Sequence, residues 1–159
     1  MPPDELPPRT IEVPTAILGV NEVWTRIATR SDDDTGYFGA AYFNARTKEV
    51  ILVNRGTELT DARDLASDAQ MLLDQVPDQF NSADSVYSDV RSLIINRTEF
   101  QGATLSITGH SLGGSLTQLL IATHAGEVIN GSGISGQTFN ALGVNGLLNN
   151  PEVNRPVGD

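Results

Sequence analysis

The chain has 159 residues, of which 39% are hydrophobic and 19% are charged, and it contains no cysteine. This length is sufficient for one domain with its own core, and the lack of cysteine excludes disulfides, thiol catalysis and cysteine metal sites. The net charge is −10, which argues against nucleic acid as a partner because the phosphates would be repelled. No apolar run approaches the roughly 20 residues that span a bilayer, so no integral membrane segment is expected.

The amino-terminal residues 1–14 begin with a proline-rich stretch and are predicted to be a disordered lead-in. Residues 15–159 are predicted to form a single domain. The lead-in lacks the basic and apolar regions of a secretory signal, so a soluble, cytoplasmic protein is the default expectation. Export by another route stays open.

The first predicted elements are two strands, at 37–43 and 50–53, which flank the turn-forming residues 44–49 and predict an antiparallel hairpin. Apolar residues then recur with a 3.6-residue period from 61 to 76, which indicates an amphipathic helix. Pro77 is expected to end this helix. A second helical pattern continues from about residue 80 to Asn96.

The most informative segment is GHSLGG at residues 109–114, which has the G-x-S-x-G spacing of a serine on a sharp strand-to-helix turn. Residues 103–108 before it are strand-like, and leucines recur at helical spacing after it, to about Val128. The outer glycines are expected to be necessary because a Cβ would collide with neighbouring backbone. This arrangement is typical of acyl-transfer enzymes with a serine nucleophile.

A further strand is predicted at 137–140. Strands that alternate with helices predict an α/β fold. We expect a mixed, mostly parallel sheet that is flanked by helices and begins with the antiparallel hairpin.

Three segments in this order resemble the fungal-type (class 3) lipase family of the α/β-hydrolase fold. They are NRGTE at 54–58 leading to DLASD at 64–68, TGHSLGG at 108–114, and TFNALG at 138–143. The Arg-Gly-Thr turn upstream of the elbow is much more particular to this family than the elbow itself. The resemblance implies an α/β-hydrolase-like fold and hydrolysis of carboxylic esters such as acylglycerols or phospholipids. No metal ion or cofactor is expected.

The resemblance also implies roles for individual residues. Ser111 would be the nucleophile that forms an acyl-enzyme. The oxyanion would be bound by the backbone N–H of Leu112 and by Thr57. Asp159 resembles the acid of the family by its position and by the glycine before it.

In the family, the serine of the catalytic triad is followed along the chain by an acid and then by a histidine well downstream. The two histidines of this chain depart from that pattern. His110 adjoins Ser111 in the tight turn, and His124 lies 13 residues along the next helix, roughly 20 Å away at about 1.5 Å per residue. Neither is expected to act as the general base. We expect His110 to pack behind the elbow and His124 to lie at the surface or at a helix end.

Three explanations for the missing histidine stay open. The chain is a truncated or split gene product, it takes a histidine from another subunit, or it is a degenerate relative that kept the fold. The leading prediction is therefore a lipase-like serine carboxylester hydrolase acting on an ester or lipid small molecule. The alternative is a catalytically incomplete α/β-hydrolase-like binding or interaction domain, and a serine peptidase or acyltransferase is a third, weaker alternative.

Overall fold

The computed structural model describes residues 6–17, 19–56 and 65–149, and their side chains except those of 65–75. A six-stranded sheet in the order β1-β2-β3-β4-β5-β8 dominates this part of the chain. Its strands are β1 Thr10–Pro14, β2 Asn21–Asp32, β3 Tyr37–Asn44, β4 Glu49–Asn54, β5 Thr104–His110 and β8 Ser135–Phe139. A separate hairpin, whose strands have two residues each, pairs β6 Val128–Ile129 with β7 Ser132–Gly133.

The direction of the strands changes across the sheet. β1 to β4 are antiparallel neighbours, whereas β4, β5 and β8 run parallel to one another. The carboxyl ends of these three parallel strands therefore lie at one edge of the sheet. In open α/β sheets, this is the edge at which ligands bind.

Two helices contact the sheet and each other. They are α1 Leu65–Asn96 and α2 Leu112–Thr123, and a single turn of 3₁₀ helix at Thr98–Phe100 leads into β5. The core lies between the helices and one face of the sheet. Its fully buried aliphatic side chains include Leu52, Leu105, Ile107, Leu116 and Leu120.

Helix α1 continues through Pro77, where the sequence predicts a helix end. Proline inside a helix costs roughly 3 kcal/mol. The buried face of α1, however, runs across this position and includes Val76, Phe80, Ala83 and Tyr87. Burial stabilises large apolar side chains by about 1.5–3 kcal/mol each, so packing outweighs the proline penalty.

The predicted fold class is confirmed: the sheet is mixed and helices flank it. The hairpin of β3 and β4 and the strands β5 and β8 are also found at the predicted places. Within the six-stranded sheet, three antiparallel pairs exceed the two parallel ones, because the chain has two strands before the hairpin. Helix α2 ends at Thr123, earlier than expected.

Strand β1 lies inside the predicted disordered lead-in of residues 1–14. Thr10, Ile11 and Val13 are β-branched, a composition that favours strands, and β1 pairs with β2 over five residues. The predicted domain boundary at residue 15 therefore excludes a strand of the sheet.

In the described part of the chain, no helix is both long and apolar enough to cross a membrane.

Candidate active site

Ser111 occupies the sharp turn between β5 and α2. Its backbone has φ 53° and ψ −124°, a conformation that costs about 1–3 kcal/mol for a residue with a side chain. The surrounding hydrogen bonds hold it there: its N–H donates to the carbonyl of Phe139 at 3.0 Å, and its carbonyl accepts from the N–H of Ser115 at 3.1 Å. The turn is thus fastened to β8 on one side and to α2 on the other.

Glycines allow three backbone segments to meet at this turn. A Cβ on Gly109 would come within 3.0 Å of the carbonyl of Gly113, and one on Gly113 would come within 3.0 Å of the carbonyl of Asn54. A Cβ on Gly56 would similarly approach the carbonyl of His110. The expected steric need for glycine on both sides of Ser111 is confirmed.

A buried polar network supports the turn from behind. The Tyr37 hydroxyl donates to Asn54 Oδ1 at 2.8 Å, and Asn54 Nδ2 donates to Thr117 Oγ1 at 3.1 Å. The Thr117 hydroxyl in turn donates to the carbonyl of Gly113 at 2.9 Å. The network joins β3, the end of β4 and the first turns of α2, so the segment 54–56 is held against the elbow.

Sequence reasoning missed the role of Asn54 and Thr117. Asn54 belongs to the quoted NRGTE segment and directly follows a strand-like run, which was an available signal. Thr117 had no such signal, because a threonine within a helix more often bonds to its own backbone or faces water. Only the packing of α2 against β4 brings the two side chains together.

The environment of Ser111 suits a developing negative charge. Leu112 is the first residue of α2, so its N–H has no acceptor within the helix, and the helix dipole places partial positive charge there. The Ser111 hydroxyl does not cap α2, and the side chain is 8% exposed.

The predicted oxyanion donor Thr57 and the predicted acid Asp159 lie outside the described residues.

Neither histidine is bonded to Ser111. His110 lies at the end of β5 and is exposed, with Nε2 at 3.3 Å from Asn140 Nδ2. It does not pack behind the elbow as expected, because the alternation of β5 turns it away from the face that the helices cover. His124 follows the last residue of α2, twelve residues long, and so lies about 20 Å from the elbow.

His124 lies at the carboxyl end of α2, which is one of the two expected positions, but it is buried there and does not lie at the surface. Its Nε2 lies 2.6 Å from Asp84 Oδ1, its Nδ1 lies 2.7 Å from Glu127 Oε1, and its ring stacks on Tyr87 with centroids 4.0 Å apart. Because a carboxylate faces each ring nitrogen, the imidazolium with two N–H donors fits the site best. Arg91 Nε lies 2.9 Å from Glu127 and adds a second cation.

The contacts of His124 shift the pKa values of the cluster. Burial lowers the pKa of His124, but the hydrogen bonds to Asp84 and Glu127 outweigh it and leave the pKa above its ordinary value. Burial raises the pKa of Glu127, yet hydrogen bonds from His124 and Tyr87 hold it below its ordinary value. The cluster joins α1 to the end of α2 and is a structural ion network far from Ser111.

Among the described residues, no group of acidic or histidine side chains is arranged to hold a metal ion.

Ser111 has a strained backbone, lies at the carboxyl edge of a mixed sheet and directly precedes a helix. This combination defines an α/β-hydrolase-like domain. Residues 18–155 match the phospholipase-like family described as the Tle-like phospholipase domain. The match extends over most of the chain, and the chain belongs to this family. The resemblance to class 3 lipases seen in the sequence is confirmed at the level of family and fold.

Solved structures of fungal lipases are similar to the chain. A Penicillium expansum triacylglycerol lipase has 18% identity and a TM-score of 0.46, and the match covers 74% of this chain and 50% of that chain. The native Rhizomucor miehei lipase propeptide complex has 21% identity and a TM-score of 0.43, with 62% and 34% covered. A deletion mutant of that complex has 20% identity and a TM-score of 0.50, with 72% and 39% covered.

The likeness to the deletion mutant supports a shared fold. The chain spans half or less of the length of these three structures. A search of curated protein sequences found no significant match.

Proposed function

We propose that this domain is a lipase-like serine hydrolase that cleaves carboxylic esters of lipids, either acylglycerols or phospholipids, with Ser111 as the nucleophile. The observation that carries the proposal is the backbone of Ser111, at φ 53° and ψ −124°. Such strain persists only where the surroundings enforce it, and it clusters at active sites. Membership in a phospholipase-like family favours a phospholipid as the substrate.

In the proposed reaction, Ser111 Oγ attacks the ester carbonyl carbon and its proton passes to a general base. The oxyanion that forms accepts a hydrogen bond from the N–H of Leu112, and removing one such donor costs about 2.7–4 kcal/mol of transition-state stabilisation in a comparable site. The alcohol leaves with a proton, and water then hydrolyses the acyl-enzyme. We propose Thr57 as the second oxyanion donor and Asp159 as the acid of the triad.

The acyl chain has an apolar contact available beside the elbow. Phe139 ends β8, pairs in register with His110, and is 52% exposed. The carbonyl of Phe139 accepts a hydrogen bond from the N–H of Ser111. The ring therefore belongs to a residue that is hydrogen-bonded directly to the proposed nucleophile. An exposed aromatic ring in this position suits a hydrophobic substrate.

The second candidate function is a binding or interaction domain without turnover. It is favoured by the positions of the two histidines, since His110 bonds to Asn140 and His124 is enclosed by carboxylates. A serine without a base is a weak nucleophile, and catalysis would fall to what the oxyanion site and binding supply.

The hydrolysis of p-nitrophenyl butyrate, measured with and without added imidazole as an external base, tests the proposal. We expect turnover that rises with imidazole beyond the solution rate and that Ser111→Ala abolishes. Ser88→Ala, which changes an exposed serine on α1, is the matched control and should keep the wild-type rate. Equal rates in wild type and Ser111→Ala would instead support the binding domain.

A further inference from the structure

The side chain of Arg55 is fixed at the edge of the sheet where Ser111 lies. Arg55 directly follows β4, and its N–H donates to the carbonyl of Phe38 at 2.9 Å. Its guanidinium carbon lies 4.9 Å from the centre of the Phe38 ring, within the range of a cation–π contact. An arginine stacked in this way keeps its N–H donors free at the rim of the guanidinium plane.

Arg55 differs from four other arginines in its charged surroundings. Arg30, Arg46, Arg91 and Arg97 each pair with a carboxylate. Among the side chains that the structure describes, which leave out residues 57–75, no carboxylate lies at ion-pair distance from Arg55. The chain nevertheless has 20 acidic residues and a net charge of −10. Arg55 is also exposed. It is therefore a cation that is positioned by an aromatic ring and left accessible to an anion.

The spacing between the strands that carry Phe38 and Ser111 is on the scale of a glycerophospholipid. Phe38 lies on β3 and Ser111 follows β5, two strands away, and neighbouring strands are about 4.8 Å apart, which gives roughly 10 Å. In the sn-1 arm of a glycerophospholipid, six bonds of about 1.5 Å separate the ester carbonyl carbon from phosphorus and span roughly 7 Å. A charge-assisted N–H···O contact to the phosphate adds about 3 Å.

An exposed aromatic ring lies on the opposite side of the elbow. Phe139, on β8, is exposed on the side of β5 that faces away from β4. A lipid bound across this edge would thus meet a cation on the β3–β4 side, the serine in the middle, and an aromatic ring on the β8 side. This order matches the order of phosphate, ester and acyl chain.

We propose that Arg55 binds the phosphate of a glycerophospholipid and makes the site selective for phospholipids over neutral acylglycerols. The proposal rests on the proposed function of Ser111 for the site, and it names the substrate class. Arg55 acts on the substrate headgroup and takes no part in the bond-breaking step. Loss of a hydrogen-bonded charge contact corresponds to about a tenfold or larger change in affinity.

Binding is measured in a Ser111→Ala background, so that the outcome does not depend on catalysis. Dihexanoyl phosphatidylcholine and dihexanoylglycerol, both below their micelle concentrations, are titrated into ¹⁵N-labelled protein, and the Arg55 Nε–H resonance is followed by NMR. We expect the phospholipid to bind at least tenfold more tightly and to shift this resonance. Glycerophosphocholine has the same phosphodiester but no acyl chains, and it should bind more weakly than the phospholipid. This comparison distinguishes recognition of a lipid from recognition of a phosphodiester alone.

Three variants complete the test. Arg55→Gln should remove the preference for phospholipid, and Arg55→Lys should keep part of it. Arg97→Gln, which removes an equal charge at an exposed position before β5, should leave the preference unchanged. The proposal is overturned if the protein shows no preference for phospholipid or if Arg55→Gln retains it. Failure of the hydrolase proposal appears separately, as absent ester turnover with the binding preference intact.

Discussion

His124 offers a quantitative test of the packing between α1 and the end of α2. The change His124→Ala removes two charge-assisted hydrogen bonds and the ring that stacks on Tyr87. Such bonds contribute about 1.5–3 kcal/mol each when their partners are buried. The Asp84 side chain is 39% exposed and that of Glu127 is 23% exposed, so solvent screens them and the lower end applies.

We therefore expect His124→Ala to lower the free energy of unfolding by about 3 kcal/mol. For a domain of this size, each kcal/mol shifts the melting temperature by about 2–4 °C, which gives a fall of about 6–12 °C. Differential scanning calorimetry at pH 6 measures it. His110→Ala is the matched control, because it removes the other histidine, which is exposed, and it should shift the melting temperature by less than about 2 °C.

The same cluster predicts the pH dependence of stability. The pKa of His124 is raised above 6.5, so its stabilisation is complete below that pH and is lost as the pH rises through the raised value. The pKa of Glu127 is lowered from 4.5, so its contribution is present above that pH and is lost as the pH falls through the lowered value. Asp84, Tyr87 and Arg91 are the other ionisable groups that face the pair.

The difference in stability between wild type and His124→Ala should accordingly be largest between about pH 4.5 and 6.5 and should shrink on both sides. Chemical denaturation across pH 4 to 9 measures this difference. A difference that does not vary with pH, or a variant as stable as the wild type at pH 6, would refute the assignment of His124 as a charged bridge.

Three further changes probe the elbow itself. Ser111→Gly should melt about 2–4 °C above Ser111→Ala, since only glycine adopts φ 53° without strain worth about 1 kcal/mol; the reverse order would contradict the turn. Gly113→Ala should prevent folding or lower the melting temperature by more than about 6 °C, because its Cβ meets the carbonyl of Asn54, whereas Gly143→Ala, with open space around its Cβ, should have little effect. Asn54→Ala should cost about 2–3 kcal/mol in urea denaturation, because it leaves the buried Thr117 hydroxyl without its amide donor; a cost below about 0.5 kcal/mol would exclude the network.

The elbow is predictable from the sequence because its requirements are local. The glycine spacing, the strand-like run before Ser111 and the leucine period after it all follow short-range rules. Strand β2 also had a local signal, with β-branched residues at Val23, Thr25, Ile27 and Thr29. The sequence analysis nevertheless did not predict β2. The strand is only partly buried on either face, and such a strand resembles a polar loop when the assignment is based on hydrophobicity.

The features that the sequence did not predict depend on contacts between distant segments. Pro77 stays within a helix because the residues around it are buried against the sheet and α2. His124 is buried because Asp84, forty residues earlier, meets its ring. The stacking of Arg55 on Phe38 requires β3 and β4 to be paired in register. No periodicity or motif along the chain encodes these pairings.

Mass spectrometry after treatment with a fluorophosphonate probe, with imidazole as the external base, tests most directly whether Ser111 is an activated nucleophile. We predict one covalent adduct, located on the peptide that contains Ser111. The adduct should be absent in Ser111→Ala and fully present in Ser88→Ala. An adduct that persists in Ser111→Ala, or an unmodified Ser111 peptide after prolonged treatment, would contradict the proposed role of this residue.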